Sequence, residues 1–448
     1  MRAGAIVDKY LVRYAVSEAR LPLELPRSYA HALVIPALAE DLGFLDGVRP
    51  AFLDGEGRAT FGRGLVLLVV NATPETPAAM LALNRELMLG LSSRAQARAL
   101  LQREPPISWL DLGEFDVLLV DRSSADHQLP SKQGVGLARK LGGDLALAFK
   151  ARGLIRAEGF GSTDADATLP AGYFAAGERA LARATAGIFP FVHVQSHEPL
   201  VDRATAAYEL SLRYYVLVLS AAGSCYAYHS LGSTLYVGFD AYARVRGFPR
   251  RRAGEDFYLL DKLAKLGAVQ RLSAPRIHIA ARRSTRVPFG TGPGVQRLLD
   301  ADAGAEALSL YAPRTFAVLG EVLAAFSEFA ASRDPERLRR RVGELPEGDA
   351  VLGYLDALGL GDALPTALRQ ASNAPQLARW LEVWFDALRS LRLIHTLRDR
   401  CHPSLPWRRA LAEAPFLRLA AESVEAAVAA LRQRELCLEP HAGVRGGT

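Results

Sequence analysis

This chain has few cysteines, no long hydrophobic run and no excess of acid. Its three cysteines in 448 residues, Cys225, Cys401 and Cys437, are scattered, odd in number and free of Cys-x-x-Cys spacing. They support neither a disulfide framework nor a zinc site, and they suit a reducing compartment. The longest apolar run, Tyr214 to Gly223, is about ten residues. A bilayer needs ~20, so no transmembrane helix is expected. Asp8, Lys9, Arg13, Glu18 and Arg20 interrupt the apolar residues of the N-terminus, which leaves no core for a signal peptide. The expectation is a cytoplasmic protein, with peripheral contact at the inner face of the membrane left open.

What is present is a globular composition, 50% hydrophobic and 23% charged, long enough for two or three domains. A formal net charge of +6 favours anionic partners without choosing among them. Aromatic residues are not interleaved with the basic clusters in any nucleic-acid module, so no nucleic-acid partner is expected.

Ala32 to Ile35, Leu65 to Val70 and Val117 to Val120 have the Val, Ile and Leu content of buried parallel strands. Between them lie helix candidates at Thr76 to Leu91 and at Gly134 to Leu141, the latter with Gly142-Gly143 as a stop. This is an α/β pattern, in which ligands bind beyond the carboxyl ends of the strands. After about residue 300 the period becomes helical, at Phe316, Leu319, Leu323, Phe326 and Ala330 and again from Leu377 to Leu391. Asp334-Pro335-Glu336 reads as a capped helix start. The expected division is an N-terminal extension at 1–29, an α/β domain at 30–298, a helical C-terminal region at 299–439 and a disordered tail at 440–448.

Residues 162–170 read Ser-Thr-Asp-Ala-Asp-Ala-Thr-Leu-Pro. An Asp-x-Asp step at a sheet edge offers hard oxygen ligands to Mg²⁺ or Mn²⁺, whereas in isolation it is as often a solvated turn. A calcium loop is excluded, because the third oxygen ligand and the glycine are missing. Glu255 and Asp256 open a second acidic step, where they either cap the helix running to Leu266 or supply a general base. Arg250 to Arg252 precede that step, and Arg282, Arg283 and Arg286 precede a glycine-rich stretch at Gly290 to Gly294 that reads as a flexible lid. Arginine forks suit phosphate or carboxylate, while such runs are commonly solvated surface.

Taken in order, four segments resemble the GT-A-fold glycosyltransferases, and within them glycosyltransferase family 2. They are Val34-Ile35-Pro36-Ala37-Leu38-Ala39-Glu40, the Gly134 to Gly142 helix with Ala138-Arg139, the pair Asp164 and Asp166 with Pro170 nearby, and Gly254-Glu255-Asp256. The resemblance covers about residues 30 to 290. It implies a GT-A, Rossmann-like and mostly parallel sheet flanked by helices, followed by the helical region. The implied activity is that of a hexosyltransferase-like, metal-dependent enzyme. It would move a sugar from a UDP- or GDP-sugar to a hydroxyl acceptor such as a sugar, a glycolipid or a small molecule.

By the same resemblance Asp166 would hold Mn²⁺ or Mg²⁺, Asp164 would reach the metal or the ribose, and His278 would complete the metal shell. A lone His in a short strand is otherwise more often structural. Asp256, with Glu255 beside it, would be the base of an inverting displacement. Pro36 and Glu40, ending the first strand, together with Asn71, Lys132 and Arg139, would line the nucleotide. Two departures from the family stand out, Asn71 where Asp is usual and the polar Gly159 to Thr163 in place of an apolar strand. The competing reading is a non-catalytic protein that keeps the fold and acts through its helical region on a partner, a membrane or a second copy in a homodimer.

Overall fold

In the computed structural model, which describes residues 3–53, 62–283, 290–301 and 304–438, the central strands form where the chain is apolar on both faces, and the edge strands are more polar. In chain order they are β1 (His31–Ala37), β2 (Gly64–Asn71), β3 (Ala97–Arg103), β4 (Pro106–Asp111), β5 (Phe115–Arg122) and β6 (Gly159–Ser162). There follow β7 (Ala167–Thr168), β8 (Ala186–Ile188), β9 (Phe191–Val194), β10 (Leu235–Gly238), β11 (Val269–Arg271) and β12 (Ile277–Ala280). Nine of them make one sheet in the order β11-β8-β10-β6-β1-β2-β5-β4-β3, and β7, β12 and β9 make a second. In the large sheet all strands but β4 and β10 run the same way. β1, β2 and β5 are buried nearly end to end, which is why they read as unbroken apolar runs.

The fold class is therefore α/β, with a mostly parallel central sheet flanked by helices and a helical C-terminal region. The chain leaves β1 to one side for β2 and β5 and returns on the other side as β6. Such a reversal opens a crevice beyond the carboxyl ends of the two strands that part there. Glu40 follows β1, and Asp164 and Asp166 follow β6.

Several sequence expectations change for identifiable reasons. The helix opened at Gly134 does not stop at Gly142-Gly143 but continues to Ala151. A Cβ on Gly142 would lie 2.4 Å from Val34 Cγ1, so this glycine serves close packing of helix on sheet and not termination. Gly159 to Ser162 is a buried strand despite its polar look, because a Cβ on Gly161 would meet the Tyr173 hydroxyl at 2.5 Å. Residues 97–111 form the β3–β4 hairpin at the sheet edge. Gly290 to Gly294 is no loop, since the helix Thr291–Asp300 begins within it.

The domain division differs as well. One compact unit comprises Met1–His197 and Ser230–Pro293, the other Glu198–His229 and Gly294–Thr448. The residues before 30 are integral to the first unit. The Tyr10 hydroxyl donates to Asp144 Oδ1, Val16 N–H donates to Asp144 Oδ2 at 2.8 Å, and Lys140 pairs with Asp144 at 3.1 Å. A fully buried carboxylate needs those partners, and the N-terminal segment provides them.

The second unit takes the helix Pro199–Ala221 from within the α/β stretch and packs it with the later helices around one apolar core. Asp334 caps the Pro335–Gly343 helix, accepting from Glu336 N and Arg337 N. The Leu377 to Leu391 periodicity is split into Ala374–Trp384 and Ala387–Arg400 by a second cap at Asp386. The helix Pro313–Ser332 is long and apolar enough to span a membrane by length and composition. Its Phe316, Val318, Leu319, Val322 and Phe326 are spent on that unit's core. Residues 440–448 lie outside the described residues.

Candidate active site

The turn after β6 is tied to the sheet on both sides. Thr163 N–H donates to Val34 O at 3.1 Å, its hydroxyl donates to Ser233 O at 3.0 Å, and Ala167 N–H donates to Asp164 O at 3.1 Å. Asp164 and Asp166 are thereby held at the switch point, with side chains 36% and 18% exposed. Beneath them lies the buried Arg139 guanidinium. It donates through Nε to Glu255 Oε1 at 2.8 Å, through one terminal nitrogen to Ser162 Oγ at 2.9 Å and Gly232 O at 3.2 Å, and through the other to Asp164 Oδ1. Burial works against its charge, but Asp164, Glu255 and Asp256 outweigh burial and leave its pKa raised. Arg139, expected at the nucleotide, is therefore a brace between β6 and the helix Glu255–Leu266, with its donors already used.

A second guanidinium closes the other half. Arg282, just beyond β12, makes a fork to Glu40 with both contacts at 2.8 Å and reaches Asp166 Oδ2 at 2.6 Å. Its pKa is likewise raised, with Glu40 and Asp166 overcoming a burial that opposes the charge. Its Nε–H is buried and donates to nothing among the described residues. The arginine run had suggested an anion-binding loop, but no spacing in the sequence ties residue 282 to residues 40 and 166.

Glu255 and Asp256 share the first turn of a helix and differ in surroundings. Glu255 is buried against Arg139. Asp256 is half-buried and accepts from Phe257 N–H at 2.7 Å. Desolvation and the Glu255 charge push its carboxyl up to about 7, against the pull of Arg139. A carboxylate poised there can take or give a proton near neutrality.

The other expected residues fall elsewhere. Pro36 is an interior member of β1, which runs on to Ala37, and it pairs with Val69. Asn71 is buried and donates to Ala37 O at 3.0 Å, so its amide locks β1 to β2 instead of facing a base. Lys132 is exposed in the turn before the Gly134 helix. His278 is exposed on β12, in register with Thr168 and Val192, and does not join the two aspartates in a cluster.

A residue missed from the sequence is Asn84, which is wholly buried. It accepts from Ala39 N–H at 2.7 Å and donates to Asn71 O at 3.1 Å and Ser123 Oγ at 2.8 Å. It thereby holds Ala39 at φ 53°, a left-handed conformation costly for alanine, and so aims Glu40. The only available signal was an Asn within an otherwise ordinary helix.

Among the described residues no three His, Cys, Asp or Glu side chains converge as a self-sufficient cation site. Mg²⁺ and Mn²⁺ do not require one, because they take one or two carboxylates and complete the shell with water and substrate phosphate. Four carboxylates, Glu40, Asp164, Asp166 and Glu255, gather on the Arg139 and Arg282 guanidiniums, an acid-rich setting of the kind such a cation suits. Of these acids, Asp164 and Asp166 have the exposure to accept a ligand.

No protein-family model matches the chain, and no curated protein matches it. Among solved structures the chain is similar to S. aureus TarS 1–349 in complex with UDP-GlcNAc, at 12% identity and a TM-score of 0.34, over 81% of this chain and 91% of that one. It is also similar to the mannosyltransferase PcManGT from Pyrobaculum calidifontis in complex with GDP-Man and Mn²⁺, at 16% identity and a TM-score of 0.32, over 87% of this chain and 99% of that one.

Proposed function

We propose that the protein is a GT-A-fold glycosyltransferase of the family 2 type, moving a sugar from a UDP- or GDP-sugar to a hydroxyl acceptor with inversion. The observation that carries this reading is the pairing, at the switch-point crevice, of two partly exposed aspartates with a carboxyl near neutrality. Asp256 takes the acceptor's hydroxyl proton as the oxygen forms its bond to the anomeric carbon. The bond from that carbon to the diphosphate oxygen breaks on the opposite side, and its electron pair leaves with the diphosphate. Asp164 and Asp166 would hold Mn²⁺ or Mg²⁺, which when bound supplies positive charge for the departing diphosphate. Arg139 keeps Asp164 and the start of the Glu255–Leu266 helix in fixed relation, so that base and leaving group stay on opposite sides of the reacting carbon. A cytoplasmic location belongs to the same reading, and a glycolipid acceptor would bring the protein to the inner membrane face.

Calorimetric titration with UDP and GDP, with and without Mn²⁺, tests it. One nucleotide is expected to bind in a metal-dependent manner, and Asp166→Ala to abolish that binding while the thermal transition stays within a few degrees. A folded wild-type protein that binds neither nucleotide would remove the transferase reading.

A further inference from the structure

We infer that the acceptor carries phosphate, which a strip of unpaired cations, Lys132, Arg251 and Arg252, holds at the rim beside Asp256 while the accepting hydroxyl enters the crevice. This rests on the transferase reading above and names the acceptor class of the same site.

Three observations carry it. The first is the state of the cations. Lys132, Arg250, Arg251 and Arg252 are all exposed, and among the described residues none of them forms an ion pair. Glu75, an acid whose carboxyl responds to Arg252, accepts from the Ser131 hydroxyl instead. The neighbouring Arg244 differs, since it spends its guanidinium on Asp240 at 2.6 Å. The second observation is that the strip is fixed in place. Arg251 N–H donates to Pro249 O at 3.0 Å, and Arg251 O accepts from Gly136 N–H at 3.0 Å. A Cβ on Gly136 would lie 2.5 Å from Arg251 O and 2.7 Å from Pro249 O, so this glycine lets the segment close on the Gly134–Ala151 helix. The Arg251 guanidinium stands 3.8 Å over the Tyr258 ring, which occupies its face and leaves its N–H edge for an oxyanion. The third observation is position. A Cβ on Gly134 would lie 3.4 Å from Arg252 O, so Arg252 and Lys132 flank the start of the helix whose Arg139 braces Asp164 and Glu255. Gly254, at φ 73°, turns the chain from the strip directly into Glu255 and Asp256. Unpaired cations thus border an acid-rich crevice. An anionic group would be repelled within that crevice and held beside it, which orients the acceptor with its hydroxyl toward Asp256. A phosphomonoester brings about two negative charges and three acceptor oxygens to this cluster, more than a carboxylate can.

The experiment is calorimetric titration of the full chain, its donor site saturated with UDP or GDP and Mg²⁺, with glucose 6-phosphate, glucuronic acid and glucose. These probes share a ring and differ in the anion. Wild type is expected to bind glucose 6-phosphate at least about tenfold more tightly than either of the others, and less tightly as salt is raised. The double variant Arg251→Gln/Arg252→Gln is expected to lose about tenfold or more in glucose 6-phosphate affinity, the loss of two charge-assisted contacts, with nucleotide Kd unchanged. Arg244→Gln, which removes a positive charge outside the strip, should leave both affinities as they are. Circular dichroism establishes that each variant is folded. No binding of glucose 6-phosphate, or binding no tighter than that of glucuronic acid or glucose, would overturn the proposal with nucleotide binding intact. So would a folded double variant that binds like wild type, or a loss in Arg244→Gln that matches the loss in the double variant. Failure of the transferase reading looks different, because then wild type binds no nucleotide at the outset, and the proposal falls with it.

Discussion

The two ends of the central sheet are built from the same ingredients and arrive at opposite balances. At the amino ends of β2 and β5, Asp111 and Asp116 face Arg27 and Arg63, two acids against two guanidiniums. Asp116 is fully buried and accepts from Arg63 Nε at 2.6 Å, the Tyr29 hydroxyl at 2.7 Å and Trp109 Nε1 at 3.0 Å, so it has nothing left to offer a ligand. At the carboxyl ends, Glu40, Asp164, Asp166 and Glu255 meet Arg139 and Arg282, with Asp256 beside them, and Asp164 and Asp166 keep 36% and 18% of their side chains exposed. Buried acid with arginine is thus no functional signature by itself. The useful difference is accessibility, since Asp116 is sealed and committed to its donors while Asp164 and Asp166 stay partly open to solvent.

The sharpest way to test that contrast is to remove the one carboxyl set near neutrality. Asp256→Asn keeps the shape and deletes the proposed base, so kcat should fall by roughly 10²- to 10⁴-fold with nucleotide Kd little changed. Its titration gives a second readout. With the carboxyl raised from 3.8 to about 7, wild-type turnover should climb through pH 7 as Asp256 ionises. Stability runs the other way. Between those two values the folded state binds the proton that the unfolded state has lost, so the Asp256 contribution declines as pH rises toward and through about 7. Loss of both the rise in rate and this fall in Tm in Asp256→Asn would tie them to one group, whereas a pH–rate profile unchanged in shape would move the base elsewhere.

The converse substitution lies at the closed end. Asp116→Ala leaves Arg63 without its buried partner and strands the Tyr29 and Trp109 donors, which should cost about 3–5 kcal/mol of stability. Nucleotide affinity, measured well below the new transition, should not change. A weakened Kd in folded Asp116→Ala would mean that the two ends are not independent.

How much of this was legible in the sequence follows from how local each feature is. β1, β2 and β5 could be read because double burial makes a strand uniformly apolar, and the aspartate pair because only Ala165 separates its two members. The helix through Gly142 and the strand at Gly159 to Ser162 could not, since Gly142 answers to the distant Val34 and Gly161 to Tyr173 on a separate helix, contacts that no local pattern shows. Arg282 was visible as part of a basic run but not as the partner of Glu40, 242 positions distant. His278 was expected among the ligands only through the family resemblance, and on β12 it lies exposed between the buried Ile277 and Ile279. The helix Pro199–Ala221 is apolar enough for either unit, and only its packing groups it with the second.

The smallest expected effect probes the join between scaffold and site. Asn84 does for Ala39 and Asn71 what Tyr29 and Trp109 do for Asp116, but with neutral hydrogen bonds, so its removal should cost less. Asn84→Ala strands the Ala39 N–H and the Asn71 and Ser123 oxygens, an expected loss of about 1–3 kcal/mol. Unlike Asp116→Ala, it should also weaken nucleotide binding, because the left-handed turn at Ala39 that aims Glu40 at Arg282 loses its anchor. A fall in Tm without any change in Kd would show that the placement of Glu40 does not depend on the Asn84 anchor, and that the scaffold beneath it is as separable from ligand binding as the one at the closed end of the sheet.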